Sequence, residues 1–186
     1  MNIISKFTAV CAVALFSATA FAHPIAVVGT EGLPVIASGG KVIAKYEGNS
    51  AGYSNDLHLD LLGAGVIFNN HASPVGSTFD LGSFTAGTEL IFRLHVNNTG
   101  DDFFTGLAAR NSDGLFHARV QQNWKPGTTL VSFEDLRGLP EGAGGFNDLS
   151  FSFTNTQTSA VSESSPFALM FAGLGLLGLA RRRAAK

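Results

Sequence analysis

Leu149-Ser150-Phe151-Ser152-Phe153-Thr154 alternates large apolar and small polar side chains without a break. Successive side chains of an extended chain point to opposite faces, so Leu149, Phe151 and Phe153 share one face and the hydroxyls share the other. A helix would scatter both sets around its axis, so this stretch reads as a strand with one face on a core. The same period recurs upstream. Leu57, Leu59 and Leu61 alternate with His58 and Asp60, and Leu90, Phe92, Leu94 and Val96 alternate with Ile91, Arg93, His95 and Asn97. Shorter candidates are Val42–Tyr46, Val66–Phe68, Phe116–Gln121 and Thr129–Phe133.

Turn residues separate these runs: Gly39-Gly40, Asn69-Asn70, Asn98-Thr99-Gly100, Asp113-Gly114 and Pro126-Gly127. Each supplies the positive φ, the fixed φ or the local side-chain acceptor that a reversal needs. Asp113-Gly114 between two extended runs predicts a hairpin. No useful stretch of helical period interrupts the series. The expected fold is all-β, a single β-sandwich of jelly-roll kind over residues 23–154. One internal echo stands out: Gly52-Tyr53-Ser54-Asn55-Asp56-Leu57 and Gly145-Phe146-Asn147-Asp148-Leu149 each bring an aromatic, then Asn-Asp-Leu, to the start of an alternating run. Two copies are too few for a solenoid, and equivalent strand starts in two sheets would explain them.

The ends of the chain obey different rules. Lys6 precedes an apolar run from Phe7 to Ala18, and Ala20-Phe21-Ala22 supplies the small residues of a signal-peptidase site. Residues 1–22 therefore read as a signal helix cut after Ala22, with signal peptidase as a partner. Cys11, the only cysteine, lies inside that signal, so the exported part has neither disulfide nor thiol chemistry. Residues 155–165 are polar and without period, the composition of a flexible linker. Residues 166–186 hold a hydrophobic helix from Phe167 to Ala180 and a basic end at Arg181, Arg182, Arg183 and Lys186. At about 1.5 Å per residue that run spans about 21 Å, short of the roughly 30 Å of a bilayer core. Gly173, Gly175 and Gly178 weaken it further as a helix. A polar site, a short apolar run and a charged stop follow the logic of a removable sorting tail.

Those residues carry a resemblance. Ala172-Gly173-Leu174-Gly175-Leu176-Leu177-Gly178-Leu179-Ala180-Arg181-Arg182-Arg183 resembles the PEP-CTERM sorting signal of Gram-negative bacteria. The family's Pro-Glu-Pro is replaced by Ser162-Glu163-Ser164, which keeps Glu163, with Pro166 just after it. The resemblance implies recognition by an exosortase-type membrane protease, transient tethering at the inner membrane, and a destination in the cell envelope or outside the cell. It also implies an association with exopolysaccharide and biofilm.

Setting Lys6, Arg181, Arg182, Arg183 and Lys186 aside takes the formal net charge from −2 to −7 for the exported part. Its remaining basic residues, Lys41, Lys45, Arg93, Arg110, Arg119, Lys125 and Arg137, are scattered singly, so no basic stripe meets phosphates and nucleic acid is excluded as a partner. Gly48-Asn49-Ser50-Ala51-Gly52 has the form of a nucleophile elbow, but that device needs a strand before the serine and a helix after it, and here a turn and a strand follow. No pair of histidines has metal-ligand spacing, so His23, His58, His71, His95 and His117 read as surface residues. No catalytic residue is assigned, and the protein is expected not to be an enzyme. Trp124 and Tyr53 could offer aromatic faces to a sugar, although a lone Trp ending the run Ala118, Val120, Gln122 is more often core. Asp101-Asp102 reads as a solvated loop.

Phe133-Glu134-Asp135-Leu136, followed by Phe146-Asn147-Asp148-Leu149-Ser150-Phe151, resembles an uncharacterised domain of secreted bacterial proteins, some of which carry this sorting tail. In acid-rich members of that domain the loop between the two motifs suits calcium, a hard cation that takes six or more oxygens. Here Ala143 and Gly145 stand where acids are expected. Glu134, Asp135, Asn147 and Asp148 are left as candidate ligands, and capping of loop N–H groups by the same side chains is the simpler reading. No cofactor is called for, calcium being the one candidate. The function expected from all this is a structural or adhesive role linked to exopolysaccharide; the alternative is a calcium-dependent or carbohydrate-binding module.

Overall fold

The structure is a computed structural model that describes residues 23–63, 65–138 and 145–158. The signal helix, the sorting residues Glu163, Pro166, Arg181, Arg182 and Arg183, the cleavage residues Ala20 and Ala22, and Ala143 all lie outside the described residues. The described chain is mostly strand: β1 (Ile36–Ala37), β2 (Gly40–Asn49), β3 (Asn55–Leu59), β4 (Phe68–Asn69), β5 (Thr78–Phe84), β6 (Phe92–Val96), β7 (Asp101–Phe104), β8 (Ala118–Lys125), β9 (Thr128–Phe133), β10 (Leu149–Thr154) and β11 (Thr156–Gln157). Its helical content is two short 3₁₀ turns, Asp60–Leu62 and Ala108–Arg110. Among the described residues no helix is long and apolar enough to cross a membrane.

The strands form a five-stranded sheet in the order β5-β2-β10-β9-β8, a four-stranded sheet in the order β4-β3-β6-β7, and the short pair β1-β11. All pairings are antiparallel. β10 is the central strand of the larger sheet, and its alternation is the one legible in the sequence: Leu149, Phe151 and Phe153 face the core. Opposite them stand Leu57, Leu59, Phe68, Phe92 and Leu94 of the four-stranded sheet, so the two sheets share one core. The aromatic rings lock across it. Phe92 stacks on Phe153 at 4.0 Å between centroids, Tyr46 meets Phe151 at 5.5 Å, and Phe68 stacks on Phe151 at 6.0 Å.

Several expectations are corrected here. Asp113-Gly114 makes no hairpin: β7 and β8 flank it but lie in different sheets, and Asp113 instead accepts N–H groups from Leu115 and Gly138. Asp101 and Asp102 open β7, where they pair with Arg137 and Arg93 rather than standing in a solvated loop. The domain also runs past residue 154, because Thr156–Gln157 pair with Ile36–Ala37 and Thr156 Oγ1 is hydrogen-bonded to Thr129 Oγ1 at 2.8 Å. Burial overrides surface assignment for His117 and His58: His117 lies between strands with its ring stacked on Phe103 at 3.8 Å, and His58 Nδ1 is bound to the Gly65 carbonyl at 3.1 Å.

Because Phe151 touches rings of both sheets, its truncation removes contacts that no neighbour can remake. Phe151→Ala should cost about 3–5 kcal/mol, whereas Phe79→Ala, on the exposed side of edge strand β5, should stay within about 0.5 kcal/mol. Urea denaturation of both variants checks the contrast, and equal costs would mean that the shared core is not where the fold is held.

Candidate carboxylate site at the end of the sheets

β9 ends at Phe133 and β10 begins at Leu149, opposite it in register. The residues just beyond that pair, Glu134, Asp135 and Asp148, are therefore brought together by the ladder itself. Their carboxylates lie within 4.8 Å of one another, and all three side chains are buried. Glu134 and Asp148 are held by nearby backbone. Glu134 accepts the N–H groups of Leu136 at 3.3 Å and Phe146 at 3.2 Å, and Asp148 accepts the Asp135 N–H at 2.8 Å. A cleft of about 250 Å³, lined by Ser50, Gly52, Tyr53 and Leu136, opens on Asp135 and Asp148.

The sequence reading missed a fourth member. Asn55, fully buried at the start of β3, donates its Nδ2 to Asp135 at 2.8 Å, while its Oδ1 has no partner among the described residues. A buried amide oxygen without a donor is costly. The nearest signal for Asn55 was the internal echo, whose two copies begin strands in different sheets, although the residues that reach Asp135, Asn55 from the first copy and Asp148 from the second, are not at equivalent positions in it. Asn147 behaves differently from its neighbours. Its backbone carbonyl accepts the Ser50 hydroxyl at 2.7 Å, and its side chain makes no hydrogen bond among the described residues.

Electrostatics are strained at this point. Burial, followed by the neighbouring Glu134 charge, raises the Asp148 pKa to about 6, although the Asp135 N–H pulls the other way. Burial also raises Glu134 above the usual carboxylate range, against the hydrogen bonds from Phe146 N, Asp148 and Leu136 N. Asp113 shows the opposite outcome. Burial there would raise the carboxyl, but donation from Gly138 N, His117 and Leu115 N holds it down at about 2. In the carboxylate cluster the balance falls the other way, and Glu134 and Asp148 are both raised. Such a set favours a proton or a cation, and a hard divalent ion suits its all-oxygen donors.

The other candidates do not join this site. Ser50 lies in the turn between β2 and β3, with no helix after it, and its hydroxyl is spent on Asn147. Tyr53 lines the carboxylate cleft, while Trp124 lines a separate groove on the five-stranded sheet, so the two do not make one platform. Nor is Trp124 in the core. The β8–β9 pairing jumps from Gln121↔Leu130 to Lys125↔Thr128, and Asn123 takes a left-handed φ of 54°. That bulge breaks the alternation begun by Ala118 and Val120 and turns the indole outward. No family model, no curated protein and no solved structure matches the chain.

With no cation added, the Asp148 carboxyl titrates near 6 in the folded chain and near about 3.9 once unfolded. Between those values the folded state binds more protons, so stability falls as pH rises through that window. Asp148→Asn mimics the protonated form and removes this dependence. In chelator, the melting temperature of Asp148→Asn relative to wild type should therefore rise from about pH 4 to about pH 7; a difference that stays flat would mean that Asp148 is ionised throughout.

Proposed function

We propose that this is an exported, non-enzymatic structural or adhesive protein of the cell envelope or extracellular matrix, whose β-domain is locked at one end by calcium. The two sheets would form a β-sandwich of jelly-roll kind, a reading supported by their shared core. The observation that carries the cation is the buried set Glu134, Asp135 and Asp148 with the unpartnered Asn55 Oδ1 beside it. Three clustered acids alone would be ambiguous, since such groups are common on surfaces. Here Glu134 and Asp148 are buried with their pKa values pushed up, and an amide oxygen without a donor stands beside them. Calcium would draw on carboxylate oxygens from Glu134, Asp135 and Asp148, with the Asn55 amide oxygen and water from the cleft as further donors.

The role follows from where the residues are. Such an ion would tie β3, β9 and β10 at one point, so it would bind the folded state only. Folding would then be favoured where calcium is plentiful, outside the cell. The signal segment, the sorting tail with its exosortase-type protease, and the association with exopolysaccharide belong to the same reading. They are supported by the order of charge, apolar run and small residues at residues 1–22 and by the Gly-Leu run and arginines at the other end.

A ligand that binds only the folded chain stabilises it by about 2.7 kcal/mol at a hundredfold excess over its Kd, which corresponds to a rise of several degrees in melting temperature. Millimolar Ca²⁺ should produce such a rise at neutral pH in the wild type and none in Asp148→Asn. An equal rise in both would place the ion elsewhere, and no rise in either would leave the carboxylates as proton-sharing caps. The export reading has its own check in the intact mass and location of the protein from its host. A chain beginning at His23 and ending near Ser165, found outside the cells, is the expected product, and a full tail kept in the membrane fraction would make that tail an anchor.

A further inference from the structure

The outer face of the five-stranded sheet carries a groove of about 190 Å³ that crosses all five strands, from Thr78 on β5 through Lys45 and Glu47 on β2 and Ser152 on β10 to Trp124 and Lys125 on β8. Two bulges build it. On β2 the register steps from Ser150↔Gly48 to Phe151↔Tyr46, which leaves Glu47 without a cross-strand partner, and Gly48 takes a φ of 132°. Glu47 is thereby set over the groove floor, where it accepts Ser152 Oγ at 2.7 Å and Lys45 Nζ at 2.9 Å. On β8 the bulge around Asn123 turns Trp124 onto the same face.

Charge says what kind of ligand suits this wall. The described part of the chain neutralises its cations almost completely: Lys41 with Asp80, Lys45 with Glu47, Arg93 with Asp102, Arg110 with Glu89, Arg119 with Glu31, and Arg137 with Asp101. Lys125 alone among the described lysines and arginines has no carboxylate in ion-pair range; its ammonium stands over the Trp124 ring, 4.0 Å from the centroid. A wall of aromatic ring and unneutralised cation, with a floor of hydroxyls and a fixed carboxylate, matches a sugar ring that carries an acid group. The C–H face meets the indole, the hydroxyls meet Glu47 and the hydroxyl side chains, and the acid meets Lys125.

We infer that this groove binds the uronate units of an acidic polysaccharide. The assignment deepens the matrix role proposed above and rests on it only for the class of ligand; it does not involve the carboxylate cluster. Trp124 is the only tryptophan in the chain, so its fluorescence reports the groove directly. The full-length protein, in chelator so that the outcome is independent of calcium, would be titrated with short oligogalacturonate, with a neutral malto-oligosaccharide and with polyglutamate. Saturable change is expected with oligogalacturonate only, weakened at least about tenfold in Lys125→Ala; calorimetry on Trp124→Phe should show a weaker affinity as well. Four results overturn the inference: no response to oligogalacturonate, an equal response to the neutral oligomer, an equal response to polyglutamate, or undiminished binding in Lys125→Ala.

Discussion

The pairing of β10 on both of its edges is the constraint on which the rest depends. Flanked by β2 and β9, β10 cannot slip by one residue without exchanging Phe151 and Phe153 for Ser150 and Ser152 at the core face. The apolar difference between those two registers is several side chains deep, at roughly 1.5–3 kcal/mol for each large apolar side chain moved to or from water. That pins the strand, and the pinned strand fixes everything at its ends. Asp148 is carried one residue before the strand, next to the last residues of β9, and the aromatic rings of the facing sheet meet Phe151 and Phe153 where they stand.

The placement of acids at that end is costly, and the cost is informative. Like charges brought together out of water favour a proton on one of them or a cation between them. Asp113 shows that this fold can keep a half-shielded carboxylate ionised when it supplies enough donors: Gly138 N, Leu115 N and the His117 ring all reach it. The cluster of Glu134, Asp135 and Asp148 is supplied with backbone N–H groups too, but its members also face one another. The Asn55 amide gives its donors to Asp135 and to the Tyr53 carbonyl and leaves its oxygen with none. A purely structural cap would not need an unsatisfied oxygen in its midst, which is the physical reason for preferring an ion to a set of turn caps.

Regular elements were legible in the sequence and irregular ones were not. The alternation at Leu149–Thr154 and at Phe92–Val96 reports burial directly, so both strands and their inward faces could be read from spacing. Bulges carry no such periodic mark. Trp124 lies in phase with Ala118 and Val120 on paper, yet the extra residues around Asn123 turn it to the other side of the sheet. His117 was read as a surface residue because it follows a turn, and only the fold shows Phe103 stacked against its ring. Of the carboxylate site, Glu134, Asp135 and Asp148 were legible as the acids of the Phe-Glu-Asp-Leu and Asn-Asp-Leu motifs, and the ladder places the end of β9 beside the start of β10. Asn55 was not, since its partner is 80 residues away in sequence; the Asn-Asp-Leu echo hinted at equivalence without saying that the two copies would meet.

The two outward-facing halves of the five-stranded sheet are treated differently, and this explains why a groove exists there at all. On one half the N-terminal segment crosses the strands. Ala26 N–H donates to Ser132 Oγ at 2.8 Å, Ser132 is bound to Ser150 at 2.9 Å, and Val27 N–H reaches Gln121 Oε1 at 3.2 Å. The small hydroxyl side chains there let that segment lie close, and both serines are fully buried. On the other half no segment of the described chain plays that part, and longer side chains, Lys45, Glu47, Trp124 and Lys125, stand up around Ser152 and Thr154 instead. A sheet face that needed only to be soluble would carry charges at its margins and leave its middle flat. Here β2 and β8 each depart from regular pairing at the residue that walls the groove, and the β2 departure also gives the Glu47 carboxylate a Ser152 hydroxyl to hold it still. Bulges weaken a ladder locally, so two of them on one face, each aiming a polar or aromatic side chain at the same shallow trough, are better explained by what the trough holds than by the stability of the sheet.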